Sequence, residues 1–124
     1  MFYFLRKWVQ VKVKLLLHRK ISENDILNVA MNLTLEWGKN WLSPVDDRLK
    51  GFFPNIGDDK AKRIDTYIKE TRNDIFNIIE QYYLKELSDT QMKLKIKDKY
   101  PFMNNDNYTR LLSQGMYYAW KDNG

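Results

Sequence analysis

Histidine occurs once in this chain, as His18, and cysteine does not occur. Two-histidine metal sites, the HExxH motif, thiolate zinc sites and cysteine nucleophiles are thereby excluded. A Ser-His-Asp triad would have to draw its base from the basic leader that holds His18. The five glycines stand singly, so no glycine-rich phosphate loop is present. Carboxylates do come in adjacent pairs, Asp46-Asp47 and Asp58-Asp59. A magnesium-dependent phosphoryl enzyme uses such residues. Both pairs, however, stand where helices are expected to begin, and capping and the helix dipole account for aspartate there. No catalytic residue, metal ligand or cofactor is assigned.

Aromatic residues are the other group with something to offer. Tyr82-Tyr83, Tyr100, Phe102, Tyr108, Tyr117-Tyr118 and Trp120 crowd the second half of the chain. At helical spacing such residues are expected in the core. The rival reading is a ring-lined groove for a peptide or small ligand, with Tyr83, Tyr117, Tyr118 and Trp120 as its candidates. Tyr117 and Tyr118 are consecutive and cannot face the same way, so one of them is expected at the surface or an interface.

The net charge of +5 suggests nucleic acid until it is located. Residues 1–21 carry Arg6, Lys7, Lys12, Lys14, Arg19 and Lys20 with no acid, a charge of +6. The remaining 15 basic residues face 16 acidic ones, so the body carries −1. A nucleic-acid binder spreads its basic footprint over the fold, and this chain does not. Those six residues are the candidate contacts to an anionic surface, membrane or nucleic acid, and only through this arm.

Within the arm, Val9, Val11, Val13 and Leu15 alternate with polar residues as in a strand, while Leu5, Trp8, Val9, Val13 and Leu16 form a helical stripe containing Lys12. Charges interrupt each apolar run, and no small-residue cleavage site follows. As a secretory signal it is poor, which favours a cytoplasmic over an exported protein. It reads as an arm packed on the body or on a second subunit, as a basic amphipathic segment on a membrane, or as a degenerate leader.

The elements that position everything else centre on Asp59–Leu87. Ile64, Ile68, Thr71, Ile75, Ile78, Ile79 and Tyr82 recur at helical steps, with Phe76, Tyr83 and Leu87 as a second row. So broad an apolar surface must be covered from two sides, which makes this the central helix. Before it, Ser22 and Asp25 form a weak capping signal for a helix to about Leu42, with Ile26, Ala30, Leu33, Trp37 and Trp41 as its stripe. Ser43-Pro44-Val45-Asp46 reads as N-cap, first-turn proline and first-turn acid of a short helix to Lys50. After it, Ser88-Asp89-Thr90-Gln91 has the form of a capping box and opens a helix to about Lys99. A lysine-rich edge strand is the competing reading of that segment. The last helix is expected from about Asp106 to Lys121.

A shift of 47 residues lays Lys50-Gly-Phe-Phe-Pro-Asn-Ile-Gly-Asp-Asp over Lys97-Asp-Lys-Tyr-Pro-Phe-Met-Asn-Asn-Asp. Pro54 and Pro101 coincide, each after an aromatic residue and each followed two positions later by an apolar one. Proline ends the incoming helix, and the apolar residue can staple onto the outgoing one. Two proline elbows are therefore expected, by duplication of one unit or by the same solution reached twice.

Residues 97–124, with Ser113-Gln-Gly-Met-Tyr-Tyr-Ala-Trp-Lys121, are similar to the C-terminal signature of a family of small uncharacterised bacterial helical proteins. Glu36-Trp37-Gly38, Asn40-Trp41-Leu42 and Pro44 resemble the first half of that family. The resemblance covers roughly residues 22–124 and carries no activity or ligand with it. The expectation is an all-α protein, a single compact bundle of four or five helices around a long central helix, with a basic arm at 1–21 and a helical domain at 22–124. Its expected role is a non-enzymatic protein-interaction module, including self-association through the arm; peripheral binding of an anionic surface is the alternative.

Overall fold

The computed structural model describes residues 22–36 and 44–123. The N-terminal arm, Trp37, Gly38, Trp41 and Ser43 lie outside the described residues. Those described form five helices and no strand: α1 Glu23–Thr34, α2 Asp46–Phe52, α3 Asp58–Tyr83, α4 Asp89–Lys99 and α5 Asn105–Asn123. The chain divides into two compact units, one ending at Thr66 and one beginning at Tyr67, so the long helix α3 contributes to both.

In the first unit, the Ser22 hydroxyl accepts from the Asp25 N–H at 3.1 Å and opens α1 as its sequence predicts. Ile26, Ala30 and Leu33 are buried, joined by Val29 and Met31. The helix does not run to Leu42. It ends at Thr34, where Leu35 is fully buried and Glu36 leaves the helix to meet Arg48 of α2 at 2.8 Å.

Helix α2 also starts later than its sequence suggests. Val45 is the N-cap residue, with no side-chain cap, and Pro44 precedes the helix. Val45 is 1% exposed, so its side chain is buried where the helix begins. Lys60 reaches Glu23 at 3.1 Å and ties the start of α3 to the start of α1.

In the second unit, α3 presents Ile68, Thr71, Ile75, Ile78 and Ile79 to the interior, the row its periodicity predicts. Facing it, α5 buries Leu111, Gly115 and Ala119. A Cβ built on Gly115 would overlap Ile79 Cδ1 and lie 3.3 Å from Ile79 Cβ and Cγ2, so glycine permits the close approach of these two helices. The capping box of α4 is complete: the Gln91 N–H donates to Ser88 Oγ at 3.1 Å, and the Ser88 N–H donates to Gln91 Oε1 at 2.9 Å. The edge-strand alternative is thereby overturned.

The central helix stops at Tyr83, four residues before the expected end at Leu87. Lys85 adopts φ 65°, the left-handed region. The Glu86 N–H donates to the Gln81 carbonyl at 2.8 Å and the Lys85 N–H to the Tyr82 carbonyl at 3.0 Å. This pair of bonds closes the helix as a Schellman motif, with lysine where glycine is usual.

The two proline elbows end their incoming helices in the same geometry. Phe53 has φ −130° and ψ 78°, and Tyr100 has φ −131° and ψ 64°. Each donates its N–H at 2.9 Å to the carbonyl four residues back, on Leu49 and on Ile96. Ile56 then bonds back to Phe53 at 3.0 Å, and Met103 to Tyr100 at 3.2 Å. Val45 and Met92, Leu49 and Ile96, Phe53 and Tyr100, and Ile64 and Leu111 are buried pair by pair. One elbow belongs to each compact unit.

Candidate functional site

The adjacent aspartates are accounted for as helix-start residues. Asp46 and Asp47 occupy the first turn of α2, and Asp58 and Asp59 that of α3. Lys50 draws one member of each pair to itself, with Asp47 at 3.1 Å and Asp58 at 2.8 Å. The hydrogen bond from Lys50 holds the Asp58 carboxyl below its ordinary range, and Asp58 in turn raises the Lys50 ammonium. Among the described residues, no three His, Asp or Glu side chains gather as metal ligands. No helix among them is long and apolar enough to cross a membrane.

The six basic candidates of the arm, Arg6, Lys7, Lys12, Lys14, Arg19 and Lys20, lie outside the described residues. Of the aromatic candidates, three come together. Tyr118 lies 5.6 Å from the Phe76 ring of α3 and 5.3 Å from Tyr117, edge to face. Tyr117 in turn lies 6.2 Å from Trp120. The row of rings runs from half-buried Tyr118 to Tyr117, 46% exposed, and Trp120, 59% exposed. Burial pushes the Tyr118 hydroxyl above its ordinary value, assisted by Tyr117 and opposed by the Arg72 guanidinium.

The expectation that Trp120 belongs to the core is therefore corrected. Asn107, Leu111, Gln114, Gly115 and Ala119 form the buried stripe of α5. Trp120 stands one residue beyond Ala119, about 100° further round the helix. Of the consecutive tyrosines, Tyr117 is the one that faces solvent.

Tyr83 does not join this row. It lines an open cavity of about 550 Å³ at the turn from α3 to α4, together with Tyr82, Leu87, Gln91 and Met116. The four groove candidates are thus divided between two places on the second unit.

Sequence reading missed a third cluster. The Tyr100 hydroxyl donates to Asp74 Oδ2 across 26 positions of sequence, and the Lys99 ammonium meets the same oxygen at 2.7 Å. Burial would raise the Asp74 carboxyl, but the hydrogen bonds from Lys99 and Tyr100 prevail and hold it below its ordinary range. Burial, with Asp74 next, pushes the Tyr100 hydroxyl far above its own. A tyrosine so disposed is a hydrogen-bond donor at neutral pH and not a base. The cluster locks the second elbow to α3. The only signal in the sequence was a hydroxyl on an aromatic residue that precedes proline.

Comparison with protein-family models, with curated proteins and with solved structures found no match.

Proposed function

We propose that the chain is a non-enzymatic helical interaction module that binds protein, a second copy of itself included, through the exposed aromatic end of α5. The observation that carries this reading is the adjacent, mutually tilted pair Tyr117–Trp120, with 46% and 59% of the two residues exposed to water. Tryptophan and tyrosine dominate the energetic centres of protein interfaces, because each covers a large area while ordering few rotors. Here Tyr117 packs edge to face on Tyr118, which packs in turn on Phe76 of α3. Sedimentation velocity over a wide concentration range tests the reading. The wild-type chain should self-associate, and Trp120→Ala should not, with its thermal midpoint unchanged. In contrast Ile75→Ala, at a fully buried position, should cost about 2–5 kcal/mol of stability. A wild-type chain that stays monomeric throughout overturns self-association.

The charge partition favours a second reading, in which residues 1–21, at +6 against a body at −1, hold the protein on an anionic surface. Binding to anionic vesicles should then weaken with salt and be lost on changing Lys12, Lys14, Arg19 and Lys20 to glutamine. Salt-independent binding, or binding that survives these changes, refutes it.

A further inference from the structure

The two elbows share the dihedral angles of their aromatic residue and the backbone bonds around it, but their equivalent lysines differ in charged contact. In the first, Lys50 closes the elbow by meeting Asp58, the first residue of α3, at 2.8 Å, with Asp47 as a second carboxylate at 3.1 Å. Forty-seven positions on, the lysine is kept as Lys97, but both carboxylates are gone. Asn105, the first residue of α5, stands for Asp58, and Leu94 stands for Asp47. Among the described residues Lys97 has no acidic partner. Its ammonium is held instead over the Tyr108 ring, 5.1 Å from the centroid.

Beside Lys97 the second elbow has a cavity of about 290 Å³. Ile96, Tyr100 and Met103 supply apolar and aromatic wall, and Lys97, Asn105 and Tyr108 stand around it. The first elbow therefore displays, within the same chain, the chemical group that this lysine position receives.

We propose that the second elbow is a binding site for a carboxylate carried on a short apolar or aromatic body, whose anionic group meets Lys97 where Asp58 meets Lys50. Asn105 offers its side-chain amide as a neutral donor to the same group, without the repulsion that an aspartate would exert. The volume fits an organic acid of about ten heavy atoms, or an acidic side chain with one neighbour, and lies at the small end of ligand pockets. A ligand of this size binds in about the millimolar range. The proposal stands apart from the aromatic end of α5 and does not rest on it.

The test is a titration of the full chain, followed by amide nitrogen–proton NMR. The probes are 3-phenylpropionate, the neutral 3-phenylpropanol, and the capped dipeptides Glu-Phe and Gln-Phe. The carboxylates should give saturable shifts confined to residues 96–108, at least about tenfold tighter than their neutral counterparts. Response to the free acid alone marks a small-molecule site; response to the acidic peptide alone marks a reader of acidic side chains in a partner. Asn105→Asp copies the first elbow and supplies the carboxylate from within, on a residue type already accepted at that place in α3. It should leave the spectrum folded and weaken carboxylate binding about tenfold or more, as should Lys97→Gln. No saturable shift with any carboxylate, equal binding of acid and alcohol, or unchanged binding by Asn105→Asp each overturns the proposal.

Discussion

Substituting Gly115 by alanine sets two known effects against each other at one atom. In an open helix the change should stabilise by about 1 kcal/mol, because glycine is the poorer helix former. Here the new Cβ would run into Ile79 Cδ1 and sit 3.3 Å from Ile79 Cβ and Cγ2, and Ile79 is fully buried. Forcing a methyl into a packed interior costs about 1–3 kcal/mol. The expected result is a net loss of up to about 2 kcal/mol. Ile79→Val removes Cδ1 and by itself should cost about 0.5–1.5 kcal/mol. With Cδ1 gone, Gly115→Ala should become neutral or stabilising, so the double-mutant cycle should show a favourable coupling of about 1 kcal/mol. Urea denaturation of the four proteins, with unchanged m values, measures each corner of the cycle. If Gly115→Ala stabilises by the full propensity gain in the native sequence, and the cycle closes without coupling, α3 and α5 do not approach at this point.

Lys85 offers the opposite case, where glycine is absent and wanted. Lys85→Gly should stabilise by about 0.5–1 kcal/mol by relieving the left-handed backbone at φ 65°, whereas Lys85→Ala keeps a Cβ and should gain nothing; equal effects in urea denaturation would refute the cause. Asp74, its carboxyl held below the ordinary range, contributes stability that is present above the unfolded value near about pH 4 and lost as pH falls through the folded one. Asp74→Asn keeps an acceptor for Tyr100 and should flatten part of the fall in thermal midpoint below about pH 5; an unchanged slope would remove Asp74 from the account.

What the sequence made legible was local. Ser22 and Ser88 cap helices because their hydroxyls reach N–H groups three residues away, and spacing alone reveals that. The isoleucine row of α3 and the aromatic-proline pair of each elbow are likewise contained within a few turns. What stayed hidden depends on partners far along the chain or on a rare backbone choice. Glu36, just past the end of α1, meets Arg48 twelve positions on. Lys85 stops α3 in a conformation that sequence rules reserve for glycine. The Tyr100–Asp74–Lys99 lock joins residues from two helices. Trp120 was misjudged for a finer reason: aromatic content marks a helix as apolar, but one residue of offset decides whether a ring is covered or wet.

The paired elbows show how much of a helical joint is fixed by backbone and how much is free. Both helices end on an aromatic residue with nearly the same φ and ψ, and both turns repeat the same backbone bonds. The path through the turn nevertheless has two solutions. Gly57 takes φ 83°, while its counterpart Asn104 needs no positive φ and uses its side-chain carbonyl to accept from the Asn107 N–H at 2.9 Å. Phe53 has no polar atom to satisfy; Tyr100 has a hydroxyl and finds Asp74. Lys50 is neutralised within its own unit, whereas Lys97 meets no carboxylate among the described residues. Since the joint tolerates either set, these differences are not demanded by the turn. Chemistry specific to this protein has room to reside there, and in the second elbow it takes the form of a lysine beside a cavity.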